Sequence, residues 1–240
     1  MKNKDITQST GIVKFKKFSD EENKVWKILC DRQLKNLKGK VSKIWEEGWK
    51  ILGMNNEKIP DFPELNKKLK KLTDWEIVMT NIEYEDHDSW ITSFIEKKFR
   101  ITDYIRGRKD LDYTPLPDIF HDVFGHVPFL AIPQYVRILE KFGRASLKAK
   151  TKEDRSKIQS LAWYGYEFGF IKKKDEIKIF GTGLVSSKGE LKNALSDEVP
   201  KLPYQADIVA NTSISAHEFH EKLFVLEGLD QLEEVVDKWL

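Results

Sequence analysis

The chain has 240 residues, a third of them charged, yet 41 Lys+Arg stand against 39 Asp+Glu for a formal net charge of +2. That balance excludes the strong basic bias of a dedicated nucleic-acid or membrane-surface protein. The one cysteine, Cys30, has no partner for an internal disulfide, no apolar run approaches the ~20 residues of a membrane span, and no apolar signal core follows the basic N-terminus, so a cytoplasmic protein is expected.

Residues 1–18 are polar and without pattern and predict a loose N-terminal arm or an edge element. Ser19 with Glu22 three residues on is a capping box, and Val25, Trp26, Leu29 and Leu34 then recur at helical spacing. Val41, Ile44, Trp45, Trp49 and Leu52 repeat at three and four residues and predict a second helix, with Gly53 where a C-terminal cap belongs. Ile59-Pro60-Asp61-Phe62-Pro63 is a stiff connector into a helix over about 63–72, and Trp75, Ile77 and Val78 read as a short strand.

The polar stretch from Asn81 to Ser89 predicts a loop before a helix at about 90–97. Phe99-Arg100-Ile101 and Tyr104-Ile105-Arg106 alternate weakly, like strand residues near a turn. A proline-stiffened approach, Tyr113-Thr114-Pro115-Leu116-Pro117, leads into a helix that carries two of the five histidines. Helices follow at about 132–149 and 153–171, then a strand at Ile177-Lys178-Ile179-Phe180 and a turn at Gly181-Thr182-Gly183. Ser187-Lys188-Gly189-Glu190 opens another helix, a short extended segment comes after Pro200 and Pro203, and a terminal helix runs over Leu229 to Leu240. The pattern is mainly α with a few short β-strands (α+β), in one domain over 19–240 after the arm.

His121 and His126 lie in an apolar run whose charges are Asp118 and Asp122 alone. A ring nitrogen there needs a specific partner, and a metal ion would serve both at once. On an ideal α-helix, residues five apart lie about 140° apart around the axis, so the spacing is a weak metal signal unless the turn is distorted. Gly125 and Pro128 are local causes of distortion. Two histidines hydrogen-bonded in a core remain the alternative. Glu167, among Trp163, Tyr164, Tyr166, Phe168 and Phe170, is a carboxylate that needs a cation, an Arg or Lys partner, or an exposed face. Two histidines and one carboxylate make the open ligand set of non-haem Fe(II) oxygenases; Zn(II) on the same set would suggest hydrolysis.

Six blocks extend this beyond three residues. They are Ser19-Asp20-Glu21-Glu22 with Val25-Trp26; Ile59-Pro60-Asp61-Phe62; and Tyr104-Ile105-Arg106. Further on come Thr114 with the run from Pro117 to Pro128, Trp163 with Glu167-Phe168-Gly169, and Gly181 to Glu190. In this order they resemble the catalytic domain of the tetrahydropterin-dependent aromatic amino acid hydroxylases, most of all its compact bacterial phenylalanine-hydroxylating members. The resemblance spans about residues 19–225 and implies that family's catalytic-domain fold.

The resemblance implies a site residue by residue. His121, His126 and Glu167 match the iron ligands. Arg106 matches the arginine that grips the amino acid's carboxylate, and Asp118 the acid that orients it. Thr114, Gly183, Ser186 and Ser187 match residues around the substrate's backbone groups; Pro117, Trp163 and Phe168 match the walls around its ring. Glu190 matches an acid that supports a histidine ligand or the serine turn. Trp90 and Asp122 match pterin-facing positions, although Thr80-Asn81-Ile82-Glu83-Tyr84-Glu85-Asp86-His87 departs from the Pro- and Leu-rich stretch usual there, and Ala162 stands where many relatives have tyrosine.

The implied cofactors are Fe(II) and a tetrahydropterin, tetrahydrobiopterin or a related bacterial pterin. The implied reaction uses O2 to hydroxylate the ring of an aromatic amino acid, phenylalanine to tyrosine first among them. Tryptophan hydroxylation, a zinc hydrolase and a non-catalytic amino-acid-binding relative are the alternatives. The expected partners are these small molecules, with no nucleic acid, no membrane and a monomer, since no long heptad helix is present for tetramerisation. His217 and His220, and the lysine runs at 67–68 and 172–174, are read as solvated, and Cys30 as a small core residue.

Overall fold

The computed structural model describes residues 11–81, 87–114, 116–215 and 218–240. The first ten residues of the expected arm, most of the divergent 80–89 stretch, Pro115 and His217 lie outside them. From residue 12 the arm is not loose. β1 (Ile12–Val13) pairs antiparallel at a sheet edge, and Phe15 and Phe18 pack on Phe62 at ring centroid distances of 5.2 and 6.3 Å.

Local signals set the first helices. Ser19 and Glu22 form the reciprocal capping box of α1 (Asp20–Leu37), whose buried face is Val25, Trp26, Leu29 and Cys30. Ser42 caps α2 (Lys43–Leu52), and Gly53 closes it at φ 65°. Asp61 caps α3 (Phe62–Leu72), which leads to β2 (Glu76–Thr80). The next helix begins earlier than the polar pattern suggests, as α4 (His87–Ile95), and returns the chain to β3 (Lys98–Thr102). The first sheet has the order β1-β2-β3, with β2 and β3 parallel. Tyr104-Ile105-Arg106, expected as strand-like, is irregular chain.

The histidine stretch is not an α-helix. Phe120–His126 is a π-helical turn that runs into a single α-turn, α5 (Val127–Leu130), and then α6 (Pro133–Lys148). A second π-turn, Trp163–Glu167, closes α7 (Lys152–Ala162). The helix expected to reach residue 171 therefore ends early. Phe170 starts β4 (Phe170–Lys173) instead, which forms a hairpin with β5 (Glu176–Ile179).

Gly181-Thr182-Gly183, expected as a turn, opens the short helix α8 (Thr182–Ser186), and Ser187 caps α9 (Lys188–Ala194). After β6 (Lys201–Pro203) comes α10 (Ala206–Ala210), a single turn that the periodicity did not reveal. β7 (Leu223–Leu226) and α11 (Leu229–Asp237) complete the chain. The second sheet runs β5-β4-β7-β6, with β4 and β6 both parallel to β7.

One continuous core holds both π-turns. Phe120 and Phe124 stack at 4.8 Å on the inner side of the first; Trp26 meets Phe120, and Trp45 and Trp49 meet Phe124. The backbone is part of this packing. Pro128 has no N–H to offer the Phe124 carbonyl four residues back, and that carbonyl instead accepts the Trp45 indole N–H at 3.0 Å. Gly48 on α2 lets the two segments approach, since a Cβ there would sit 1.8 Å from the Pro128 oxygen. Gly48→Ala is therefore expected to lower stability by about 1–3 kcal/mol or more. A urea melt with an unchanged midpoint would show that this approach is not a constraint.

Candidate metal centre

The π-turn resolves the awkward histidine spacing. Bonding from i to i+5 widens the turn, so residues five apart come onto one side of it. His121 Nε2 and His126 Nε2 lie 3.2 Å apart, and Glu167 Oε1, from the facing π-turn, lies 3.4 Å from His126 Nε2. Among the described residues this trio is the one group of its kind: the three ligand atoms all fall within 4.8 Å of one another.

The surrounding hydrogen bonds aim the three groups. The Ser186 hydroxyl has one hydrogen, and the Thr182 carbonyl 2.9 Å away can only accept it. The His121 Nδ1–H therefore donates to Ser186 Oγ at 2.8 Å, and its Nε2 carries the lone pair that faces the other two ligands. Thr182 Oγ1 donates to Glu167 Oε2 at 2.6 Å, which turns Oε1 toward His126. Phe99 covers one side of His126 at a centroid distance of 4.9 Å, and Trp90 stands edge-on to it at 6.2 Å.

Burial makes the trio costly by itself. Desolvation pulls His121 down to about 4 and His126 well below the ordinary imidazole range. It also pushes the Glu167 carboxyl up to about 7, against the Thr182 hydrogen bond, which lowers it. Neither answer expected for a non-ligand carboxylate applies, since Glu167 is 8% exposed and no Lys or Arg among the described residues pairs with it. Three converging Lewis bases with neutral imidazoles fit a divalent first-row ion, with further coordination positions left open.

Asp118 ties the metal turn to Arg106. Its carboxylate is fully buried and accepts Arg106 Nε at 2.9 Å and Nη2 at 2.7 Å, and it also takes the backbone N–H of Arg106. The same carboxylate meets the His121 N–H at 3.3 Å. Two guanidinium donors, Nε and Nη2, are thus used inside the protein. Asp122 is held from β3, where the Thr102 N–H and hydroxyl both donate to its Oδ2, at 2.7 and 2.9 Å. Burial pushes its carboxyl up to about 7.

Most of the chain aligns with known proteins. The family model described as biopterin-dependent aromatic amino acid hydroxylase matches residues 7–240. This chain belongs to that family. Phenylalanine-4-hydroxylase of Mesorhizobium japonicum is 33% identical over 222 residues, which cover 90% of this chain and 78% of the relative. The enzyme of the same name from Chromobacterium violaceum is 33% identical over 90% of this chain and 73% of its own. A structure of the C. violaceum enzyme with iron(III) and 7,8-dihydrobiopterin superposes with a TM-score of 0.89 at 31% identity, covering 95% of this chain and 84% of that one. Its iron- and phenylalanine-bound form gives 0.86 at 29% identity, with the same coverage. The catalytic-domain fold of the family is the fold of this chain.

Other expected site residues take more specific places. Trp163 and Phe168 are half-buried and face each other at 4.7 Å. Gly183 makes room for that pair: a Cβ there would lie 2.5 Å from the tip of the Phe168 ring. Pro117 is exposed, its carbonyl taken by the Tyr104 hydroxyl, and Thr114 donates to the Leu116 carbonyl at 3.1 Å. Ser187 is occupied as the cap of α9, whereas Ser186 holds a histidine.

Two readings need correction. Glu190 meets neither His121 nor His126; its side chain pairs with His220 at 3.1 Å, and only its N–H caps back to Ser187. His220 is not solvated but 6% exposed, and it accepts the Trp163 indole N–H at 2.7 Å. Thr182, Thr102 and His220 escaped sequence reasoning because their partners Glu167, Asp122 and Trp163 lie 15, 20 and 57 residues away in the chain.

Removing the Ser186 hydroxyl (Ser186→Ala) is expected to weaken Fe(II) binding about 10–100-fold while the fold persists. Anaerobic Fe(II) titration checks this, and an unchanged affinity would mean that the tautomer of His121 is set elsewhere.

Proposed function

We propose that this chain is a non-haem iron, tetrahydropterin-dependent monooxygenase that hydroxylates the ring of an aromatic amino acid, phenylalanine before others. One observation carries the reading: His121, His126 and Glu167 converge from two facing π-turns, and the second of these also presents Trp163. In this reading the three side chains hold Fe(II), which with a reduced pterin supplies the activation of O2.

The protein's own part is to place and dry the reactants. The outer edge of the Arg106 guanidinium receives the substrate carboxylate, while Asp118 keeps the plane of the guanidinium fixed. Thr114, Ser186 and Ser187 surround the backbone groups of the amino acid, and Ser186 also orients His121. Trp163 and Phe168, with Pro117 at the rim, enclose the ring, and Gly183 lets Phe168 lie close to the α8 backbone. Trp90, edge-on to His126, and Asp122, within the first π-turn and held by Thr102 of β3, take the pterin. The reading places the chain in the cytoplasm as a monomer; the balanced charge and the fully buried lone thiol of Cys30 support the compartment, and no helix among the described residues is long and apolar enough to cross a membrane.

Purified Fe(II)-loaded protein given phenylalanine, tryptophan and tyrosine in competition, with a tetrahydropterin and O2, is expected to form tyrosine first. Hydroxytryptophan as the main product would move the substrate within the family. Amino acid binding without any hydroxylation under every reduced pterin would overturn the reading. His121→Ala, His126→Ala and Glu167→Ala are each expected to lose iron and turnover together. Arg106→Lys keeps a charge but loses the fork, so KM for the amino acid should rise about ten- to a hundredfold. Steady-state kinetics with KM unchanged would place the carboxylate elsewhere.

A further inference from the structure

The aromatic pair that faces the proposed ring pocket is held from behind by a polar chain. Trp163 Nε1 is a donor only, and it lies 2.7 Å from His220 Nε2. That nitrogen must therefore be the acceptor, which leaves the ring hydrogen on Nδ1, 3.1 Å from Glu190 Oε2. Both ends thus demand one tautomer of a neutral imidazole. The His220 ring also lies under Phe168 at a centroid distance of 4.2 Å and 35° between planes, closer than any other ring contact of Phe168. Tyr164 meets its edge at 5.7 Å. The His220 side chain is 3% exposed and that of Glu190 15%, so the imidazole has little water to replace a lost partner.

The anchors are themselves fixed. The Asn193 side chain on α9 donates to the His220 carbonyl at 2.8 Å, and Glu190 stands on the same helix, three residues after its Ser187 cap. α9 therefore grips His220 by both its ring and its backbone, and His220 grips the two wall residues.

We propose that His220, oriented by Glu190, is a positioning residue that sets the rotamer of Trp163 and the tilt of Phe168, and through them the fit of the substrate ring. This rests on the ring-pocket reading of Trp163 and Phe168. Leucine at 220 keeps bulk but offers no acceptor. Glutamine keeps both functions, because its carbonyl can accept the indole N–H and its amide can donate to Glu190.

The test compares iron-loaded wild type, His220→Leu and His220→Gln by two measurements. The first is the Nε1–H signal of Trp163 in 15N-tryptophan-labelled protein, assigned with Trp163→Phe, together with its hydrogen exchange. The second is KM and kcat for phenylalanine and the amount of tyrosine formed per pterin oxidised. His220→Leu is expected to move the indole signal and speed its exchange, to raise KM about tenfold and to lower tyrosine per pterin, with little loss of pterin oxidation. His220→Gln should restore most of each.

An indole signal untouched by His220→Leu would overturn the contact. A shifted signal with KM and tyrosine yield unchanged would overturn the positioning role. If wild type forms no hydroxylated amino acid at all, the failure belongs to the proposed function, and the indole signal still decides the His220 contact.

Discussion

The structure depends on one backbone irregularity, the π-turn over Phe120–His126. Two imidazoles five residues apart diverge on an α-helix and converge on a π-turn. The irregularity is bound into the core at several points. Pro128 withholds an N–H, Trp45 takes the carbonyl that this releases, and Gly48 lets α2 close against Pro128. Phe120 and Phe124 anchor the opposite side of the turn among Trp26, Trp45 and Trp49. A costly local geometry persists because the packing around it over-determines it.

The electrostatics follow from that convergence. Two neutral imidazoles and a carboxylate share a dry space, and burial disfavours the charged form of each. A divalent cation reverses this preference, because it favours the carboxylate and uses the imidazole lone pairs. α8 supplies the orienting layer: Thr182 turns Glu167, and Ser186 turns His121. One short helix thereby aligns ligands from both π-turns.

Much of the fold was legible because the signals are local. The capping box at Ser19 and Glu22, the αL glycine at Gly53 and the serine cap at Ser187 each act within four residues. Pro128 and Gly125 could be named as sources of distortion from the sequence. The partner that accepts the distortion could not, since Trp45 lies 79 residues from Phe124. The aromatic run after Trp163 reads as continued helix, yet Phe170 belongs to a strand because its buried place lies beside β7. His220 was misread for the same reason: its polar neighbours in sequence suggest water, whereas its neighbours in space are Trp163, Phe168 and Glu190. Glu167 stood out in the sequence as a lone carboxylate among aromatics, and the family resemblance carried it further than spacing could, by matching it to a third ligand.

The central claim is that these two π-turns build one open metal site from two imidazoles and one carboxylate. X-ray absorption on the Fe(II)-loaded protein reads this directly. The expected spectrum has the outer-shell scattering of two imidazoles, with the remaining first-shell scatterers oxygen from Glu167 and solvent. A spectrum with one imidazole or none, or with a closed shell that leaves no solvent oxygen, would contradict it.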